Sequence, residues 1–512
     1  MGYLTTSIVT LALLASQAVG APFTAPIVDA STLGPRDAGL DATLRAIPRL
    51  VEKRDMMDRL IPTSDVIELE YLDEGSLVNG NPFVATLKLG PKRPAVALEH
   101  VHSLLNNVLC SPKGILLNFI SADVKKRAQD AWNMDDFMVI TSHQGCNKDG
   151  ERVPYMVSKV SFIEKYNWAM LYAEGISWDK ASHTLDMRFG NRESHKGLDF
   201  DTYRPSKNVV VKRASATGDL SFSVVGQSIF TISGSSGSTG AQFVQKCASC
   251  VGTGTVEISS GSISLKTGIE GILGSLDGSD SMATQDLADA ADIDIVFNNF
   301  QAQFEFETSI QATETFTFHF FETPVGFPGF TIPGLFSIGP AFDPTIVAQL
   351  SLFQPLSFTY GFNFSVPDGS GWNVDLVDNS KSSMLGFEGI QFDALPFTVE
   401  SFTPGVNISL SFRPVISIGV NVLSIDVDPV TVFADVPKFN VGLVPLTDVD
   451  DNCAAVATPG TGANHLQVST DFALDIGVGA SVQITSGISF SPSIPLLENQ
   501  IIDPTTTCLG PF

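Results

Sequence analysis

From residue 300 to residue 320 the even positions read Phe, Ala, Phe, Phe, Thr, Ile, Ala, Glu, Phe, Phe, Phe, while the odd positions are polar or charged. Neither Gly nor Pro interrupts the stretch. A period of two puts alternate side chains on opposite faces of a β-strand. The pattern therefore predicts one long amphipathic strand with a bulge near Glu314. At about 3.3 Å per residue it would extend roughly 70 Å, far beyond a usual strand of about 5–6 residues.

The same alternation returns three times. Residues 348–366 line up Leu350, Leu352, Leu356, Phe358, Tyr360, Phe362 and Phe364 on one face. Residues 406–422 do so through Ile408, Leu410, Phe412, Ile416, Ile418 and Val420, and residues 466–484 through Val468, Phe472, Leu474, Ile476, Val478 and Val482. No fixed-length repeat underlies it. The expectation is a mainly β protein, with an antiparallel β-sandwich or elongated closed sheet over residues 246–512.

Upstream the pattern is mixed. Strands are predicted at residues 114–120, 137–141, 156–162 and 184–189. Ser121 is placed to cap a helix over residues 122–132, with Asp123 in its first turn. This is an α+β pattern, assigned to a domain at residues 65–211. Residues 212–245 have linker composition: the dibasic pair Lys212-Arg213, then a Gly/Ser tract at residues 233–240.

The N-terminus reads as a secretory leader. Residues 3–20 are apolar or small, and Ala18-Val19-Gly20 offers small residues for a signal peptidase, so residues 1–20 are taken as a signal peptide. Residues 21–54 are rich in Pro, Ala and charge and end at Lys53-Arg54, a dibasic pair expected to close a propeptide. No window approaches the roughly 18 apolar residues of a membrane helix. The last residues lack the apolar tail of a lipid-anchor signal. The expectation is a secreted, extracellular protein with no transmembrane segment.

Charge divides the chain. Residues 1–213 carry 25 Lys or Arg and 25 Asp or Glu; residues 214–512 carry 5 and 30. The whole net charge of −25 thus lies in the C-terminal part. Phosphate binding needs clustered Lys and Arg, so nucleic acid is excluded as a partner.

The 6 cysteines are even in number, which in a secreted chain points to disulfides. Economy within domains favours Cys110–Cys146, Cys247–Cys250 and Cys453–Cys508. The Asn-x-Ser/Thr signals fall at Asn363 and Asn407, both on the polar face of their strand. A glycan must sit outside. The apolar faces therefore point inward, the reverse of a porin-like barrel.

Motifs that carry chemistry are scarce. There is no Gly-x-Ser-x-Gly, His-Glu-x-x-His or phosphate-loop signature, and no cofactor is implied. Asp448-Val-Asp-Asp-Asn452 begins like a calcium loop, but Cys453 stands at the sixth position and Pro459 at the twelfth, where Gly and Glu are needed. If residues 96–102 form a strand, His100 and His102 share a face, and with His143 they make a weak candidate metal site. Glu305 and Glu307 share one polar strand face, a background-level carboxylate pair.

Several segments also carry a family resemblance: Pro94-Ala-Val-Ala-Leu-Glu-His100, Phe137-Met-Val-Ile-Thr-Ser-His-Gln-Gly-Cys146, residues 157–162, and Ile332-Pro-Gly-Leu-Phe-Ser-Ile-Gly-Pro340. Over residues 65–508 the chain resembles a fungal secreted two-domain family of uncharacterised function. The resemblance implies an extracellular or cell-wall setting and brings no catalytic residues with it. The functional expectation is a non-enzymatic secreted glycoprotein that binds cell-wall polysaccharide or other extracellular material, with an apolar small molecule in the C-terminal sheet as a further expectation. The alternatives are a secreted enzyme on cell-wall polysaccharide and a membrane-active or host-directed effector.

Overall fold

The structure is a computed structural model and describes residues 42–47, 56–76, 82–133, 136–148, 151–191, 217–233, 242–266, 284–310, 315–319, 325–326, 329–352, 356–401, 406–423, 425–484, 487–490 and 494–511. The signal peptide, Lys53, Arg54, Lys212 and Arg213 lie outside them. The described chain is mainly β, arranged in three sheets of 12, 10 and 6 strands.

The two larger sheets face each other across one core. Phe304, Phe306, Tyr360 and Phe362 from the 12-stranded sheet meet Phe412, Phe439 and Phe472 from the 10-stranded sheet. The Phe304 and Phe412 rings lie 4.8 Å apart, and those of Phe362 and Phe439 5.6 Å apart. These are the apolar faces that the alternation marks out, so they point inward as expected. Ring pairs at such distances add to the burial of large apolar surfaces.

Several predicted strands are present. Val406–Val422 spans the predicted residues, and Ala463–Ile484 contains the next. The stretch at residues 300–320 differs. One strand runs Ala288–Ile310 in the 12-stranded sheet, and Thr315–His319 pairs with Phe336–Leu352 in the 10-stranded sheet. The predicted bulge at Glu314 lies outside the described residues. Alternation along one strand reports its two faces but not which sheet it joins. Residues 348–366 likewise divide between two strands, Phe336–Leu352 and Leu356–Ser365.

The six-stranded sheet is the α+β part. The helix Ala122–Ala131 packs on one face of it, and the Ser121 hydroxyl accepts from the Val124 N–H at 3.3 Å, as the capping signal predicts. Trp132 and Phe119 fill the interface, with ring centroids 6.0 Å apart. Ile67–Leu72, Val84–Pro91 and Ser182–Gly190, however, belong to the 12-stranded sheet, where Ser182–Gly190 pairs with Gln242–Leu265. Hydrogen bonding is thus continuous across the 65–211 boundary. Strand Phe222–Ser233 lies within the segment 212–245 read as linker.

Residues 42–47, inside the expected propeptide, are built into the fold. Ala42–Thr43 pairs with Phe330–Ile332 at one edge of the 10-stranded sheet, and Arg45–Ile47 pairs with Ile67–Leu72 at one edge of the 12-stranded sheet. Leu44, between them, is fully buried.

Candidate functional site

On the outer face of the 12-stranded sheet, four neighbouring strands line a groove of about 400 Å³. They are Gln242–Leu265, Ala288–Ile310, Leu356–Ser365 and Gln391–Ser401, in that order. Their register sets two cross-strand rows. One reads Val251, Gln303, Asn363, Asp393; the next reads Thr253, Gln301, Ser365, Gln391. At about 4.8 Å between strands each row spans roughly 14 Å. The residues between them, Ala302 and Phe364, turn into the core.

The polar part of the lining is amide, hydroxyl and one carboxylate, beside Val251 and Gly252. Gln301 Nε2 donates to Thr253 Oγ1 at 3.4 Å. Asn363 Oδ1 is buried without a hydrogen-bond partner among the described residues. Elsewhere on this sheet several polar groups pair: Ser262 donates to Asp292, Asn373 Nδ2 donates to Asp294 at 2.8 Å, and Lys246 pairs with Glu307 at 3.0 Å, while Gln245 Oε1, like Asn363 Oδ1, has no partner among the described residues.

A bulge lies beside the second row. The register of strands Gln242–Leu265 and Ala288–Ile310 slips between Thr253 and Thr255, and Gly254 has φ +147°. A Cβ there would stand 2.7 Å from the Phe300 Cα, so only Gly fits.

The histidines fall differently from their expected strand. Ala95–Ala97 is a strand, but Leu98–Leu104 is a 3₁₀-helix. With about three residues per turn, Glu99 and His102 share a face and His100 does not. His102 Nδ1 lies 3.2 Å from His143 Nε2, and His143 Nδ1 lies 2.8 Å from Thr141 Oγ1. Among the described residues no three His, Cys, Asp or Glu converge as metal ligands.

Beneath this pair is a buried ionic network that sequence reading missed. Arg152 Nε lies 3.6 Å from Glu99 Oε1, and both side chains are buried. The guanidinium sits 4.6 Å from the centre of the Tyr71 ring. Glu99 Oε1 also accepts from the Ser142 N–H and, at 2.7 Å, from its hydroxyl. Burial works against the Glu99 charge, but Arg152, His143 and Ser142 outweigh it and hold the carboxyl below its ordinary range. Burial lowers the His143 imidazole, with His102 and Arg152 adding to the effect against Glu99.

The three disulfides are Cys110–Cys146, Cys247–Cys250 and Cys453–Cys508. A register slip between Cys247 and Ser249 puts both cysteines of that short loop on the buried side of one strand. The calcium-like loop is occupied by its own backbone. Asp448 accepts from the Gly460 and Gly462 N–H groups at 2.7 and 2.8 Å, and Asp450 from those of Asn452 and Ala454 at 2.9 Å. Asn407 lies on strand Val406–Val422. Glu305 stands across from Gly361, one row beyond Asn363.

The fold is mainly β, with an α+β six-stranded module. A family described as a domain of unknown function (DUF7029) matches residues 88–186, a span that takes in that whole module. No curated protein and no solved structure matches the chain.

Proposed function

We propose that this is a secreted glycoprotein that binds a neutral, hydroxyl-rich extracellular polymer, such as a cell-wall polysaccharide, along the groove of Gln301, Gln303, Asn363 and Asp393. The observation that carries the reading is the lining itself. Amides both donate and accept, which suits ligand hydroxyls. Among the described residues no cation lines the groove, which argues for a neutral ligand. Three disulfides agree with an oxidising, extracellular setting. Among the described residues no helix is long and apolar enough to cross a membrane.

An apolar ligand has less support. An apolar cavity lined by Leu87, Met187, Leu335 and Phe336 has a volume of about 20 Å³, room for one water. Glycoside hydrolysis would need two carboxylates at the groove, and the lining contributes one, Asp393.

The test is binding of the full chain to soluble β-glucan, chitin and mannan oligosaccharides by calorimetry, against Gln303→Ala and Gln301→Ala. Saturable binding that weakens in both variants supports the reading. Binding indifferent to both, or none to any oligosaccharide, overturns it.

A further inference from the structure

We infer that His102 and His143 form a two-imidazole site for a divalent transition-metal ion, on the six-stranded module and independent of the groove. The spacing carries the inference. Two imidazole nitrogens at about 2.0–2.1 Å from one ion lie roughly 3.3 Å apart at a tetrahedral angle and roughly 2.9 Å apart at a right angle. His102 Nδ1 and His143 Nε2 are 3.2 Å apart, already within that range.

The surroundings suit a ligand pair. Thr141 Oγ1, 2.8 Å from His143 Nδ1, can accept that ring's N–H, which leaves Nε2 with its lone pair toward His102. Glu99 lies one 3₁₀ turn before His102, and its Oε2 is buried with no hydrogen-bond partner among the described residues. The Glu99 charge is paired with Arg152, so the two imidazoles supply the binding. His102 is exposed, so an ion has a path in, and water completes the coordination. Imidazole pairs suit zinc, nickel and copper, and not magnesium or calcium.

The experiment is titration of the chelator-treated, dialysed full chain with zinc, nickel and copper by calorimetry. The expected result is one equivalent of saturable binding, weakened roughly tenfold or more by His102→Ala or His143→Ala. His183→Ala, on an exposed histidine elsewhere, leaves it unchanged. Thermal melts check that each variant folds; should half-buried His143 prove structural, His102→Ala remains the clean test. Copper electron paramagnetic resonance should show two coupled nitrogens in the wild type. Absence of saturable binding, or binding that survives His102→Ala, overturns the site.

Discussion

Arg152 donates through Nη2 to the carbonyl of Ile47, 105 residues away in sequence, at 3.3 Å. A second nitrogen of the same guanidinium lies 3.4 Å from the Glu70 carbonyl. One buried cation thus holds the N-terminal segment to the strand beside it and to the six-stranded module. That segment spans the edges of both large sheets.

Cleavage after Arg54 should therefore not release residues 42–47. The cut N-terminal piece should co-elute with the body on gel filtration and separate only in denaturant. Leu44→Ala should cost about 2–5 kcal/mol in denaturant melts. A chain starting at Asp55 with an unchanged melting temperature would contradict this.

The Glu99–Arg152 pair has few alternatives when one member is lost. Glu99→Gln or Arg152→Met should each destabilise by about 3–5 kcal/mol, because the remaining charge stays buried. The double variant Glu99→Met/Arg152→Met should lose clearly less than the sum of the two. Additive losses would show that the charges act separately.

Acidity should act through two groups of opposite sign. Burial pushes the Asp73 carboxyl up to about 6, and its Oδ2 has no hydrogen-bond partner among the described residues. A raised carboxyl pKa stabilises the fold at low pH and loses that contribution as pH rises through about 6. Glu99 is lowered, so its contribution is present above the ordinary carboxylate range and lost as pH falls through its folded-state value. Melting temperature should therefore peak near pH 4, falling from there to about pH 6 as Asp73 ionises and falling below it as Glu99 takes up a proton. Asp73→Asn, which keeps the acceptor for the Gly75 N–H, should stabilise by about 1–2 kcal/mol at pH 7 and flatten the decline above the peak. A flat profile in the wild type would count against both assignments.

Much of the β architecture was legible because burial imposes a period of two. Val406–Val422 and the capped helix after Ser121 follow directly from residue pattern. The groove was not legible. Gln301 and Gln303 are visible as a polar strand face, but their neighbours Asn363 and Asp393 come from strands tens of residues away, brought alongside by register. The histidine pair was half legible. The sequence points to His102 and His143, but the turn that parts His100 from them is set by the 3₁₀ geometry of Leu98–Leu104.

The Asn363 signal for glycosylation now stands in the groove rather than on a plain outer face. A glycan there would fill the space that a ligand needs. Glycopeptide mass spectrometry of the protein expressed through a secretory pathway should find Asn363 unmodified in the copies that bind oligosaccharide. Full occupancy in the binding fraction would contradict the assignment of the ligand to this groove.

The most direct measurement is oligosaccharide affinity in Gln303→Ala, Gln301→Ala and the double variant, each with its melting temperature. The account predicts unchanged melting and a loss of roughly 2–10-fold per amide, the size of one net hydrogen bond. Wild-type affinity in the double variant would contradict it.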